Sequence, residues 1–408
     1  MHRLIAPLVL LLALIPVATQ AQPEEKSGPF DELRMATLGT VGPHQVWITA
    51  LLARHSQLFD ASSGLMLASL DSALGAFPKT PIFAATRNEY YVVEAKREWG
   101  HRGERTDFVT IYDATTLQAK GQIVIPIQIA ESAGSLAYTA LLDDNRTLAL
   151  FSQIPNQKVS FVDLETRTFV GSIAIQGCAG IYATGARSFA TLCGNGTMHH
   201  VKVDAEGNET GSATTTPFFE AVADPVMMNG VRLGDRWVFV SFVGEAHEVD
   251  FSQSPPVVTS WSMVSDGERK KGWRPGGRQL SAIHRELGRL YVLFHQGEAG
   301  SHKDPGPEVW VFDLASRERM ARFELPNMDA SAIEGMLGVE GGFSSWFLRR
   351  IIPASGADTV AVTQDAAPLL LVRNAFVPVL SVLDARSGAH VRDIHELGTF
   401  DTRLMVPQ

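Results

Sequence analysis

The sequence predicts an all-β fold and, within that class, a seven-bladed β-propeller. Short runs rich in β-branched and aromatic residues, such as residues 237–240 and 290–294, recur throughout the chain and are typical of strands. One turn pattern also recurs, at a spacing close to the length of a four-stranded blade. Long helical periodicity is absent. The best helix candidate is a turn or two from Ser265 to Lys270, capped by Ser265 or Asp266.

The recurring pattern is an apolar strand that ends in Asp and is followed by a polar turn. An Asp side chain accepts hydrogen bonds from backbone amides two residues ahead, and Ser, Thr or Gly tolerates the turn that follows. The pattern occurs seven times, at Asp60, Asp113, Asp163, Asp204, Asp250, Asp313 and Asp384. The mean spacing is about 54 residues, close to the roughly 40–50 residues that a blade with its connections needs. Seven marks therefore predict seven blades, with insertions in the longer last intervals.

A propeller must close on itself, because an open ring would leave the edge strands of its terminal blades unpaired. We expect the segment near residues 35–60 to complete one blade together with the C-terminus. The predicted organisation is a signal peptide at residues 1–21, an N-terminal extension at 22–38 and a single propeller domain at 39–408.

The N-terminus has the layout of a secretory signal. Arg3 precedes an almost wholly apolar run from Leu4 to Ala18, and small residues lead to a cleavage position after Ala21. A membrane anchor is the alternative, but the run is shorter than the roughly 20 apolar residues that are needed to span a bilayer. We therefore expect cleavage and export to the periplasm.

The charge balance excludes one class of partner. The chain has 35 Lys and Arg residues against 44 Asp and Glu residues, a formal net charge of −9, and loss of residues 1–21 removes Arg3 and no acid. Contacts to phosphates need a basic surface, so nucleic acid is not an expected partner. No second apolar run is long enough to span a membrane, since Leu369 to Val372 ends at Arg373 and is predicted to be a buried strand.

Only two cysteines are present, Cys178 and Cys193. In an exported protein one disulfide is the simplest interpretation, and closing the short loop between them would stabilise the fold by about 3 kcal/mol. Two buried free thiols are the alternative. Two cysteines are too few for a four-thiolate zinc site.

No catalytic constellation is visible in the sequence. The 12 histidines include no His-Glu-x-x-His motif, and the adjacent His199 and His200 would point to opposite faces of a strand. There is no Gly-x-Ser-x-Gly nucleophile elbow and no phosphate-binding loop. We therefore predict no catalytic residue, no cofactor-binding residue and no metal ligand in this chain.

Several segments together resemble the heavy chains of methylamine dehydrogenase and aromatic amine dehydrogenase. They are residues 102–109, 187–196 and 272–277, and the stretch from His284 through His302 to Asp313. The two cysteines also have the spacing of that family, and the resemblance runs from about residue 40 to the C-terminus.

The resemblance implies a seven-bladed propeller that is the large, cofactor-free subunit of a periplasmic amine dehydrogenase. In that family two heavy and two light chains form a heterotetramer, and the light chain carries the tryptophan tryptophylquinone and the catalytic base. A primary amine is oxidised to an aldehyde, ammonia is released, and electrons pass to a blue copper protein. The heavy chain supports the light chain and walls part of the substrate channel.

Two regions depart from the family pattern. The family places a channel-lining Phe near residues 50–57, where this chain is shorter and offers Leu and His side chains instead, which leaves the substrate size open. An apparent insertion near residues 335–353 contains Trp346 and an Arg-Arg pair. It is either a loop against a partner or a variable surface loop.

Six residues of the shared segments are candidates either for contact with the light chain or for a structural role within a blade: Arg102, Glu104, Arg105, Asp107, Trp273 and His302. Their charged hydrogen bonds could orient a partner, or they could fix a blade turn. The rival hypothesis for the whole chain is a stand-alone periplasmic propeller of the same lineage that binds without a quinone partner. A light chain encoded beside this chain would separate the two hypotheses.

Overall fold

The structure is a computed structural model. It describes residues 37–50, 55–71, 80–100, 102–130, 135–153, 156–328, 334, 337–339, 342–351, 356–374, 377–395, 397 and 403–407. The predicted signal peptide at 1–21 and most of the predicted extension at 22–38 lie outside the described residues, so both stay predictions.

Seven antiparallel sheets follow one another along the chain, and each is one blade. Blade 1 contains β1 (Gln45–Ala50), β2 (His55–Asp60) and β3 (Met66–Asp71). Blade 2 contains β4 (Ile82–Ala84), β5 (Glu89–Trp99), β6 (Arg102–Asp113) and β7 (Ala119–Ile125). Blade 3 contains β8 (Thr139–Leu141), β9 (Thr147–Ser152), β10 (Lys158–Asp163) and β11 (Thr168–Ala174). Blade 4 contains β12 (Cys178–Gly185), β13 (Ser188–Cys193), β14 (Met198–Val203) and β15 (Glu209–Thr214). Blade 5 contains β16 (Val231–Leu233), β17 (Arg236–Val240), β18 (Glu245–Asp250) and β19 (Val257–Ser262). The predicted seven-bladed propeller is therefore confirmed.

Blades 6 and 7 carry the longer insertions. Blade 6 contains β20 (Trp273–Pro275), β21 (Ser281–His284), β22 (Arg289–Gln296), β23 (Glu308–Asp313) and β24 (Arg319–Glu324). Blade 7 contains β25 (Thr359–Val362), β26 (Leu369–Arg373), β27 (Leu380–Asp384) and β28 (His390–Ile394). In the described part of the chain, helix α1 (Asp266–Lys270) precedes the strands of blade 6, and helix α2 (Gly342–Ile351) precedes the strands of blade 7. The predicted cap of α1 is confirmed, because Ser265 and Glu268 form a reciprocal capping box.

The ring closes as predicted, with one blade shared between the two ends of the chain. The C-terminal strand β29 (Arg403–Met405) is the innermost strand of blade 1 and pairs with β1, with Ile48 opposite Leu404. The side chain of Gln279, between β20 and β21, reinforces this closure. Its Nε2 donates to Val360 O at 3.1 Å and to Leu404 O at 2.9 Å, and its Oε1 accepts from Leu404 N at 3.1 Å.

All seven predicted Asp turns form, and each lies between the third and fourth strands of its blade. In every one, the Asp carboxylate accepts a hydrogen bond from the backbone amide two residues ahead, at 2.8–3.0 Å. The turn in blade 7 ends at Gly388 with a φ of 75°. A side chain at that position would be strained, and its Cβ would lie 2.4 Å from a ring carbon of Phe323.

The antiparallel strand order gives the propeller two different faces. The turns between strands one and two lie on the same face as the Asp turns. In six of the seven blades the backbone amide of the residue after the Asp donates to the segment before strand two, as Ala114 N does to Asn88 O at 2.9 Å, and in blade 4 Val203 N donates to Arg187 O instead. We call this the turn face. The connections between strands two and three, and those between successive blades, lie on the opposite face, which we call the connection face.

Aromatic pairs seal the contacts between neighbouring blades. The rings of Trp47 and Tyr90 join blades 1 and 2, with centroids 5.3 Å apart in an edge-to-face arrangement. Tyr182 contacts Phe239 of the next blade in the same way, at 4.9 Å. Such pairs add packing energy to the burial of large apolar surfaces, so the core is a series of interfaces between blades.

Candidate partner surface and central channel

A two-stranded ribbon projects from blade 2 on the connection face. Strand β4 pairs with β5 only up to Tyr91, and β7 pairs with β6 only from Asp107. Beyond those points β5 and β6 continue to pair with each other, to Trp99 opposite Arg102. We define residues 96–106 as the ribbon. Near its tip the Trp99 side chain is 69 % exposed.

The four candidate residues predicted in this segment lie in two different environments. Arg105 and Asp107 are bound at the base of the ribbon: the Arg105 Nε donates to Asp107 Oδ2 at 2.8 Å, and Asp107 also accepts from Ile129 N at 3.0 Å. This pair holds the connection to blade 3 in place. Arg102 and Glu104 are exposed on the ribbon.

The other two candidates lie in connections of blade 6 on the same face. The ring of Trp273 lies 5.3 Å from that of Trp310, and the guanidinium of Arg322 covers it at 4.6 Å. The ring of His302 stacks on Phe242 with centroids 4.0 Å apart. Burial is the main cause that lowers the pKa of His302. All six candidates thus belong to the connection face or its base, and a role in contacting a partner stays a prediction.

Helix α2 lies in the insertion near residues 335–353, so the description of that segment as a loop is corrected. Its exposed side carries Phe343, Trp346 and Phe347, which are 76 %, 56 % and 48 % exposed. The rings of Trp346 and Phe347 lie 5.5 Å and 6.4 Å from that of Phe343. The opposite side is anchored, since the buried Ser345 hydroxyl donates to Glu334 at 2.9 Å. Sequence reasoning noticed Trp346 but missed the aromatic stripe, although its residues recur at helical spacing.

The predicted disulfide is confirmed. Cys178 and Cys193 lie opposite each other on β12 and β13 and are joined by an S–S bond. The bond links the innermost strand of blade 4 to its neighbour.

The innermost strands of all seven blades line a central channel with a cavity of about 580 Å³. Its wall is mainly apolar, with Ile82, Leu141, Ile283 and Val362 among the lining residues. Gln279 and Asn229 line it towards the connection face. Polar side chains ring its mouth on the turn face: Asp143, Asn145, Arg232, Arg285 and Gln364.

The described residues bring no group of three or more His, Cys, Asp or Glu side chains together in a way that could hold a metal ion. Burial, followed by the charges of Lys202 and His199, lowers the pKa of the buried His200 to about 4. No helix in the described part of the chain is long and apolar enough to cross a membrane. Of the shortened region at 50–57, residues 51–54 lie outside the described residues.

Comparison with known proteins places this architecture in a family. The family model described as methylamine dehydrogenase heavy chain matches residues 61–335, two thirds of the chain. The chain belongs to the methylamine dehydrogenase heavy chain family. The heavy chain from Paracoccus versutus is 27 % identical over 347 residues, covering 84 % of this chain and 73 % of the relative. The heavy chain from Methylorubrum extorquens is 26 % identical over 331 residues, covering 80 % and 73 %.

Solved structures support the fold alone. A protein of unknown function from Desulfotomaculum acetoxidans superimposes with a TM-score of 0.55 at 13 % identity, over 90 % of this chain and all of the other. The dihydro-heme d1 dehydrogenase NirN superimposes with a TM-score of 0.51 at 15 % identity, over 90 % and 76 %. Membership of the heavy chain family supports the expectation that this chain is the propeller subunit of an amine dehydrogenase.

Proposed function

We propose that this chain is the large subunit of a periplasmic amine dehydrogenase and is active only in complex with a light chain. The complex would contain two heavy and two light chains, and electrons would leave to a blue copper protein. The observation that carries the proposal is the match to the heavy chain family over residues 61–335.

The overall reaction would convert a primary amine and water into an aldehyde and ammonia, with release of two protons and two electrons. A tryptophan tryptophylquinone on the light chain would accept the electrons. This chain would position the light chain and exclude water around it. Export and signal cleavage belong to the same proposal, because they bring the chain to the compartment where such a complex works.

The tryptophans of this chain do not fit the quinone, which is formed from two tryptophans. Among the described residues, Trp273 and Trp310 are the tryptophans in ring contact. Trp310 is fully buried, and its Nε1 donates to Glu308 at 2.7 Å. A redox group must be reached by its substrate, so this pair is structural, which supports the proposal that the quinone belongs to the light chain.

The connection face supports a partner surface. Trp99, α2 and Val222, which is 97 % exposed, all lie in connections on this face. Exposed apolar groups clustered on one face of a soluble protein mark interaction sites. Aromatic residues and Arg are also the types that most often dominate binding energy, and Arg102 is exposed on the ribbon.

Purification of the chain from its native periplasm tests the proposal. We expect a small, cysteine-rich partner to co-purify, with a quinone absorption band that an added primary amine bleaches. A colourless chain that purifies alone and does not respond to amines would instead favour the stand-alone binding propeller.

The partner surface has its own test. Replacing Phe343, Trp346 and Phe347 together with Ser should reduce the co-purified light chain at least tenfold, since buried aromatic anchors each contribute about 2 kcal/mol or more. The matched control replaces Val257 and Met320 with Ser, because both are about half exposed on outermost strands. Equal recovery of the light chain with both variants would remove α2 from the surface.

A further inference from the structure

The two mouths of the central channel differ in charge. Towards the connection face the lining groups are neutral, and the Ser281 hydroxyl is already bound to Asn229 O at 2.8 Å. The turn-face mouth carries two guanidinium groups, Arg232 from blade 5 and Arg285 from blade 6, and the carboxylate of Asp143.

One of the two positive charges is neutralised and the other is not. Arg232 reaches across blade 4 and forms two hydrogen bonds with the Asp143 carboxylate, at 2.6 Å and 2.7 Å, and its Nε donates to Gly234 O at 2.8 Å. No acidic side chain among the described residues forms an ion pair with Arg285, and its guanidinium has no hydrogen bond to them. The mouth therefore presents one uncompensated positive charge.

The side chain of Gln364 fixes the backbone of Arg285. The Gln364 Oε1 accepts from the Arg285 backbone amide at 3.1 Å, while the Gln364 Nε2 donates to Ile283 O at 2.8 Å and to Val362 O at 3.1 Å. The backbone from which the Arg285 side chain extends is thus hydrogen-bonded to the neighbouring blade 7. Partial burial, and then the nearby charge of Arg232, lower the pKa of Arg285 from its ordinary value. An anion at the mouth would relieve both effects.

We propose that the turn-face mouth of the central channel binds an organic monocarboxylate with an apolar tail. The carboxylate pairs with the Arg285 guanidinium, whose planar fork matches a carboxylate with two parallel hydrogen bonds. The tail lies along the apolar channel wall, and a cavity of about 580 Å³ is large enough for it. The site lies on the face opposite the proposed partner surface, so it does not depend on the light chain.

The same geometry disfavours other small ligands. A metal cation would need several free oxygen ligands, and the carboxylate at the mouth, Asp143, is committed to Arg232. A phosphate carries more charge than a single guanidinium balances, and it has no apolar part to use the channel wall. The combination of one free charge and an apolar wall therefore selects for a tail as well as for a charge.

Calorimetric titration of the purified chain, with its partner if one co-purifies, tests the proposal. The probe is hexanoate, and the comparison ligands are hexanamide, which lacks the charge, acetate, which lacks the tail, and inorganic phosphate. We expect hexanoate to bind at least tenfold more tightly than each of the three. Absence of hexanoate binding, or equal binding of hexanamide, acetate or phosphate, would overturn the proposal.

Variants locate the site. Arg285→Gln should weaken hexanoate binding at least tenfold, and Arg285→Lys should restore part of the affinity because it keeps the charge but loses the fork. The control is Arg386→Gln, an exposed arginine in the Asp384 turn whose side chain binds Ala366 O and does not line the channel. Wild-type affinity in Arg285→Gln would place the ligand elsewhere.

Discussion

The closure of the ring depends on one amide side chain. Strand β29 pairs with β1 through three residues, and the Gln279 side chain adds two hydrogen bonds to Leu404 of β29 from the channel side and a third to Val360 O of blade 7. Gln279 is 4 % exposed, so water cannot readily replace those bonds. Replacing Gln279 with Ala should therefore loosen the C-terminal strand specifically.

The size of the effect follows from the lost bonds. Two of these bonds are made to Leu404 of β29, and leaving its buried N–H and C=O without their partners costs about 1.5 kcal/mol each, so the free energy of opening at β29 should fall by about 3 kcal/mol. A change of this size corresponds to roughly a 100-fold increase in the open population, since about 1.4 kcal/mol is a factor of ten.

Amide hydrogen exchange read by mass spectrometry measures this opening. Peptides that contain residues 403–407 should exchange about 100-fold faster in Gln279→Ala, with smaller changes in blades 3 and 4. The control is Gln296→Ala, whose amide donates to Lys271 O from an exposed position. Exchange at β29 that stays within threefold of wild type would refute the role assigned to Gln279.

Three further predictions concern stability. Arg105→Ala leaves the buried Asp107 without its cation and should cost about 3 kcal/mol in urea unfolding, whereas the exposed Arg102→Ala should change little; equal effects would contradict this. Replacing both cysteines with Ser should lower the free energy of unfolding by about 3 kcal/mol, because the closed loop is lost, and an unchanged urea midpoint would be evidence against it. His200 has a folded pKa of about 4 against an ordinary 6.5, so the unfolded state binds more protons between these pH values and stability falls as pH falls through that window; His200→Gln should flatten this loss, and an unchanged acid slope would disprove the assignment.

The blade count could be predicted because the turn chemistry is local. Each Asp turn is specified within a few residues, and all seven marks form the hydrogen bonds that their sequence implies. The same holds for α1, whose capping box spans Ser265 to Glu268. The disulfide could be predicted because the chain contains just two cysteines, and the expected export makes their pairing the simplest outcome.

Features that depend on distant parts of the chain could not be predicted in this way. Arg373 ends an apolar run in the sequence and is the last residue of β26, yet it has no exposed surface. Burial lowers its pKa to about 10, against the opposing effect of the Asp358 charge. A sequence does not show that a charged residue will be buried until the fold places the counter-charge beside it. The free charge of Arg285 was missed for the same reason, because it depends on which acid pairs with Arg232.

The two faces of the propeller differ in how their loops are hydrogen-bonded, and this difference explains where insertions with a function can occur. On the turn face, each Asp turn is bonded to its own backbone and to the neighbouring turn, so an insertion there would break several hydrogen bonds at once. On the other face a repeated bond joins the end of the fourth strand to the start of the third in blades 3 to 6, as Ile175 N does to Gln157 O at 3.0 Å. The loops that extend beyond this bond are of the kind that tolerates insertions and carries function. The ribbon and α2 both extend that face without disturbing a blade. A partner surface can thus be changed on the connection face while the channel mouth on the turn face keeps its geometry.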